Sequence, residues 1–488
     1  MILTKRHSKW LIVILLTASG FSFIFQSCQK EEFNTGSDFK LEFSNDTVIF
    51  DTVFTSIGTA TQALMVYNNS DLPVKIASVS LAGGSSSPYR INIDGDAVFK
   101  QSDLEIAAKD SLYIFVKVTI DPNNTDEPLI RTDSILFETN GNLQEVKLVA
   151  WGQDAYFHNN DTLSGNVEFT NNKPHVIYGN LVVDSLSMLT VDEGVQLCFH
   201  KNSGLIVRNT GTLKVNGTLA SPVVFRSDTY VNFDPLHDTV PGMWNGLWLQ
   251  GGSGKYDFTY AEIRNSDVGI MIDSCNASSP PALTLYNCKI RNTTSYGLYT
   301  QSATILAANC EFSNSGGYLL CLQGGSYDFR HCTFANYWQW LRKTPSVYLR
   351  NSYEDILGRS HKSPLNTAYF GNSIVYGTYR EDDTLTEVIA YAEKGIGFNF
   401  TFDNCLVINN LQKHYSSNFS NCIMKADSVF MDTDHWNFEL DTLSPALNIG
   451  SRNIINFSVL NITSDLNGIS RVSDTGPDLG AYERVENQ

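Results

Sequence analysis

Three near-copies of one phrase, "NCKIRN", "NCEFSN" and "HCTFAN", place cysteines at 288, 310 and 332, each 22 residues after the last. The phrase continues with other residues in the cysteine slot. Ser352, Ser373, Cys405 and Cys422 extend the series at intervals of 20, 21, 32 and 17, and Ala261 stands in the same slot upstream. A repeat of 20 to 22 residues is the length of one solenoid coil, and such coils bury a core only by stacking on their neighbours. This period constrains the chain more than any other feature.

The slot accepts Cys, Ser or Ala, which argues against metal binding. Metal ligands converge on one point, whereas single residues on successive rungs stay about 4.8 Å apart. A disulfide between rungs would require both Cβ vectors to turn toward each other. A small, burial-tolerant residue fits the slot best, since free Cys packs as a small hydrophobe. Two residues on, Ile263, Ile290, Phe312, Phe334, Val375, Val407 and Met424 share the inward face by period 2. Asn265, Asn292, Asn314, Asn336, Gly377 and Asn409 fall at the expected coil corner, where a left-handed backbone is cheap for Asn and Gly. Glu354, at an inward position after Ser352, does not fit. On the outward face Lys289 and Glu311 read as a solvated cross-strand ion pair.

The long interval before Cys405 holds "DDTLTEVIAYAEKG". Its Leu385, Val388, Ile389 and Ala392 are spaced i, i+3, i+4, i+7, with a Thr384/Glu387 capping box and Gly395 as a stop. The pattern predicts a short helix over 385–394. That helix would cover Ile374, Leu406 and Ile423, which are outward yet apolar.

Upstream, "DSLYIFVKVTI" alternates Leu112, Ile114, Val116, Val118 and Ile120 on one face, and Asn140-Gly141 marks a two-residue hairpin. Short strands at this spacing predict a β-sandwich over 38–154. The stretch resembles the Hydin-type immunoglobulin-like domains. "GTLKVNGTLASPVVF" and "WNGLWLQGGSGKYDFTYAEIRN" resemble coils of right-handed parallel β-helices. "DSVF", "NFEL", "SPALNIGS", "DLNGISR" and "PDLGAYE" follow in the order found at the C-terminus of choice-of-anchor Q proteins, which are bacterial surface β-helix proteins. Asn448 stands where that pattern more often has Asp. The chain therefore reads as all-β: a sandwich, a right-handed parallel β-helix over 155–430, and a capping segment over 431–488. In that segment Ser444 and Pro445 predict a one-turn helix. Asp465, Arg471 and Asp478 are expected to hold a polar cap on the solenoid's end through turns and an ion pair.

Residues 1–27 have the parts of a signal peptide: Lys5, Arg6 and Lys9, an apolar run from Trp10 to Phe25, and small Ser27. The run is shorter than a spanning helix needs. Cys28 sits where a bacterial lipoprotein is acylated, and residues 28–37 form a tether. Lys30, Glu31 and Glu32 resemble the surface-export signal of Bacteroidetes lipoproteins, which implies an outward-facing, lipid-anchored protein of the outer membrane. Asp-Ser/Thr-aliphatic triplets, including those at Thr47 and Thr239, resemble the O-glycosylation site of Bacteroidetes exported proteins.

A net charge of −17 disfavours nucleic acid, since phosphate contacts need a basic face. It also disfavours polyanionic glycans unless calcium bridges the charges; no other cofactor and no resident metal is expected. The surface address, the long repetitive face and 12% aromatic residues suit a monomer that binds a polysaccharide. Tyr337, Trp338 and Trp340, which follow a corner, are the candidate ligand residues, with Tyr379 and Tyr391 beside them. Trp244 and Trp248 read as core. Two alternatives stand: a polysaccharide lyase or glycoside hydrolase, for which no catalytic residues are identifiable, and a structural spacer without a glycan ligand.

Overall fold

The computed structural model describes residues 32–54, 61–93, 95–120, 129–228, 240–275, 281–355, 357–381, 384–473 and 475–485. Cys28, Lys30, Glu31 and Thr239 lie outside them; Glu32 is the first described residue and has no regular structure, and Thr47 opens a strand. The described residues form two compact units, one ending at Gly152 and the other beginning at Gln153.

The first unit has two five-stranded sheets built from antiparallel pairs. Alternation explains them. On Ser111–Val118, Ile114, Val116 and Val118 point into the shared core while Tyr113 and Phe115 face outward. Leu129–Thr139 and Asn142–Gln153 pair across Asn140 and Gly141, whose φ values of 50° and 78° are those a two-residue primed turn demands.

The second unit is a parallel β-solenoid. One sheet has ten strands and the other seventeen, and neighbouring coils pair in parallel. A typical coil runs Tyr296–Ala308, then Glu311–Ser315; the next runs Tyr318–Arg330, then Thr333–Asn336. The long strands bend between their two legs at Ser302 (φ 55°) and at Gly324 and Gly325 (φ 72° and 92°). Both legs belong to the seventeen-stranded sheet, and the short third strand to the ten-stranded one.

The rungs are structural. Cys288, Cys310, Cys332, Ser373 and Cys405 are sealed from solvent, as are Ile263, Ile290, Phe312, Phe334, Val375 and Val407. Each buried thiol donates to a carbonyl two residues earlier, as Cys310 does to Ala308 (3.2 Å), and the Ser373 hydroxyl repeats the bond to Gly371. A hydroxyl and a thiol thus solve the same problem. Inside, Phe329, Phe370, Phe402 and Phe419 stack at 4.4–5.2 Å.

Corners differ from expectation. The left-handed residue is the one immediately before the slot: Tyr260, Asn287, Asn309, His331, Asn372, Asn404 and Asn421 all have φ of 44–55°. Of the predicted corner residues only Asn265, Asn292 and Asn314 are left-handed; Asn336, Gly377 and Asn409 are not. Two buried amide ladders result, since Asn292 donates to Asn265 and Asn309 to Asn287.

Ser352 is not a rung of the ten-stranded sheet. Thr333–Asn336 pairs directly with Ile374–Gly377, and Ser352–Glu354 turns away into an antiparallel hairpin with Ser360–Lys362. Glu354 is exposed at its tip, which removes the misfit.

Over 385–394 there is no helix. Arg380–Glu381 and Thr384–Leu385 form a hairpin, and Val388–Tyr391 pairs in parallel with Val347–Arg350. Leu385 ends one strand and Val388 and Ile389 open the next, with Thr386 and Glu387 between them outside any regular element. Glu387 caps nothing helical. Its carboxylate receives two guanidinium bonds from Arg342 (2.6 and 2.7 Å) and the Ser346 hydroxyl (2.6 Å), all buried.

Ile374 and Leu406 are nonetheless covered. Val429, Phe430, Phe438, Leu440, Leu479, Ala481 and Tyr482 lie over them, so the C-terminal segment is a brace along the outer face of the ten-stranded sheet. The solenoid's end is closed instead by Leu411, Tyr415 and Phe419, with Tyr415 edge-on to Phe400 at 5.3 Å. Glu311, buried under the brace, pairs with Arg291 (3.2 Å) and accepts from the Tyr482 hydroxyl. It does not pair with Lys289, whose ammonium lies 5.8 Å from the Tyr482 ring.

Polar groups fasten the brace. Arg471 pairs with Glu483 (2.9 Å) in full burial and donates to Asn309 on the solenoid (3.2 Å). Asp465 accepts from the backbone of Asn467, Ile469 and Glu483, and Asp478 from Asn448 and Arg484. Residues 445–448 form a turn without becoming a helix, and Asn448 ends it at φ 58°, which suits Asn in the place of Asp.

Candidate functional site

The residues singled out from sequence separate into three places. Tyr337 belongs to the brace core, stacked on Tyr376 (6.3 Å) and Phe438 (6.0 Å), and burial drives its phenol well above the usual range. Trp338 and Trp340 meet edge-to-face at 4.8 Å on a loop where Trp340 and Leu341 are 56% and 84% exposed. That loop is anchored by the buried Arg342–Glu387 pair, with Tyr379 5.7 Å from the Arg342 guanidinium. Tyr391 is elsewhere, 53% exposed on the seventeen-stranded sheet with Arg350 5.3 Å above its ring.

Tyr391 leads to a larger feature. Parallel register aligns Val182, Ile206, Trp248, Met271, Tyr299, Cys321, Tyr348 and Ile389 on consecutive coils. All lie between inward residues such as Leu249, Ile272 and Leu322, so period 2 turns them outward. All but Cys321 remain partly exposed. Three residues earlier, Tyr296 and Tyr318 add to the column. Tyr318 stacks with Tyr296 at 6.2 Å and with Tyr348 at 5.2 Å, while Tyr299 meets Tyr296 edge-on at 5.0 Å. Rings stacked along the axis turn their edges and hydroxyls outward.

Trp248, expected in the core, belongs to this column; only Trp244 is core, stacked on Phe199 at 4.2 Å. Sequence reading missed the ladder because its members come from strands of unequal spacing. Alternation within "WNGLWLQ" alone carried the signal for Trp248.

A polar column runs beside the aromatic one. Asp273 accepts from the Trp248 indole (2.8 Å), Gln301 donates to the Tyr299 hydroxyl (3.0 Å), and Gln323, Arg350 and Tyr391 continue in register. Burial pushes the Tyr318 phenol and the Cys321 thiol each up to about 12 and raises Tyr296 and Tyr348. These phenols therefore stay protonated and act as neutral donors. Arg350 is balanced by Glu354 (3.6 Å) and Glu393 (3.9 Å). Among the described residues no group of three or more His, Cys, Asp and Glu side chains is placed to hold a metal ion.

No family model matches the chain, and no curated protein does. Solved structures overlap it in part. A family 123 glycoside hydrolase from Clostridium perfringens, described for glycolipid glycan hydrolysis, is 10% identical with a TM-score of 0.17, over 24% of this chain and 30% of that one. The ASH/PapD-like domain 7 of human CEP192 is 10% identical with a TM-score of 0.17, over 26% and 94%. A Porphyromonas gingivalis protein of unknown function is 12% identical with a TM-score of 0.18, over 26% and 60%.

Proposed function

We propose that this protein is a surface-anchored glycan-binding lipoprotein whose solenoid holds a neutral polysaccharide along the Trp248–Tyr299–Tyr318–Tyr348 ladder. One observation carries the reading: an apolar, aromatic column stays partly exposed over consecutive coils and is flanked by Asp273, Gln301, Gln323 and Arg350. Aromatic edges with a polar rim suit sugars, which offer C–H patches and hydroxyls together. Balanced charge favours a neutral chain over a polyanion. Trp338 and Trp340 are a second contact region. Acylated Cys28 anchors the protein to the outer membrane, with Lys30, Glu31 and Glu32 directing it outward.

A polysaccharide array probed with the mature chain tests this. Binding to at least one neutral polymer is expected, weakened by the combined variant Y299A/Y318A/Y348A. Ultraviolet absorbance from unsaturated sugars, or new reducing ends, would move the protein to the lyase or hydrolase class. No binding to any polymer would leave the spacer reading. Metabolic labelling with an alkyne fatty acid should mark the wild type and not C28S.

A further inference from the structure

Every described cysteine is a free thiol. Most are unreachable: Cys288, Cys310 and Cys332 are at most 1% exposed inside regular rungs. The last rung differs. Cys405 is buried, but Cys422 is partly exposed and lies outside any strand. The two residues are in register, because the neighbouring pair Leu406 and Ile423 form an isolated parallel bridge and the Ile423 amide donates to the Cys405 carbonyl (2.8 Å). Adjacent parallel strands hold Cα atoms about 4.8 Å apart, inside the roughly 4.4–6.8 Å window of a disulfide. In the regular rungs both Cβ vectors point inward side by side. At Cys422 the ten-stranded sheet has shrunk to one bridge, and its sulfur, held by thiol bonds to the Phe402 and Ser420 carbonyls (3.3 and 3.2 Å), has to leave them and turn toward Cys405.

We propose that Cys405 and Cys422 are a redox pair that closes into a disulfide and staples the solenoid's end to its final coil. The oxidant is a small disulfide such as glutathione disulfide. The Cys422 thiolate attacks one sulfur of the oxidant, breaking its S–S bond and releasing one glutathione thiolate. The Cys405 thiolate then attacks Cys422 Sγ in the mixed disulfide and releases the second. The protein pair loses two electrons and two protons; the oxidant gains both electrons, and two glutathione thiols result. Cys422 is the entry point by exposure, and its thiol lies below the usual value because Cys405 hydrogen-bonds to it. Cys405 is held well above by burial, so it acts as the resolving partner.

The test is peptide mapping, without reduction, of the full chain equilibrated with glutathione buffers of graded potential. A linked pair of peptides carrying Cys405 and Cys422, lighter by two hydrogens, is expected, with Cys288, Cys310 and Cys332 unmodified. C405S should trap a glutathione adduct on Cys422, and C422S should leave Cys405 unmodified. Ser373 already fills a rung, so both variants should keep the wild-type circular dichroism. A lasting glutathione adduct on Cys422 in the wild type, no modification at all, or cross-linking among the three ladder cysteines at the same potential would each overturn the proposal.

Discussion

Two apolar columns run along the outside of the solenoid, and only one is covered. On the ten-stranded sheet, Ile374 and Leu406 lie under the chain's own C-terminal brace and are fully buried. On the seventeen-stranded sheet, Trp248, Tyr299, Tyr318 and Tyr348 stay partly exposed. Burying apolar surface is worth about 25 cal/mol per Å², so an uncovered column forgoes stability that the brace shows the chain can obtain. Exposed apolar columns with polar rims mark binding surfaces. The covered column is aliphatic at Ile374 and Leu406 and continues in register into the buried Thr333 and Glu311, whereas the open one is rich in rings with hydroxyl and indole donors.

The largest expected effect comes from breaking the cover. R471M removes one partner of a buried pair and leaves the Glu483 carboxylate without its countercharge; such losses cost about 3–5 kcal/mol. Thermal unfolding should fall sharply, and proteolysis should begin within residues 440–485. If R471M melts like the wild type, the brace is not held as described.

On the open face, the combined variant Y299A/Y318A/Y348A should cost both affinity and some stability. The ring pairs it removes contribute about 0.5–1.5 kcal/mol each to the fold, so melting temperature should fall less than in R471M, while polysaccharide binding should weaken roughly tenfold or more, the equivalent of about 1.4 kcal/mol. Removing the Trp340 ring instead should have the lesser effect on binding, and isothermal calorimetry ranks the two.

Acid should act on the covered side. His331 is buried beneath the brace, where burial and the nearby Arg471 hold its pKa well below 6.5, and its Nε2 accepts from the Asn372 amide. The neutral ring stabilises the fold above pH 6.5. As pH drops below that value the unfolded chain gains a proton that the native state refuses, and stability is lost. H331N places in this ladder the residue found at 309 and 372, and its left-handed φ of 50° suits Asn. Melting temperature measured between pH 7 and pH 5 should fall less steeply for H331N than for the wild type; parallel curves would contradict the assignment.

The smallest effect is expected at a rung. C310S should cost roughly 1 kcal/mol, because Ser373 shows a hydroxyl making the same bond.

What the sequence made legible follows its periodicities. Period 2 and the 22-residue repeat located the sandwich, the coils, the rung cysteines and Asn140-Gly141, because each is local or strictly repeated. Departures came where distant segments meet. Thr384, Glu387 and Val388 imitate a capped helix, yet Glu387 is claimed by Arg342, 45 residues earlier. Glu483 pairs with Arg471 where Asp465 and Asp478 were the visible acids. The tyrosine ladder was hidden because coil lengths vary, so its members share a register and no fixed sequence interval.

Hydroxyl-radical footprinting of the full chain, with residues read by mass spectrometry, tests the difference between the two columns most directly. In the free protein, Trp248, Tyr299, Tyr318 and Tyr348 should be oxidised while Tyr376, Leu406 and Phe438 stay protected, and a bound neutral polysaccharide should shield only the first group. Protection of the ladder in the free protein, or labelling unchanged by saturating polysaccharide, would contradict the account.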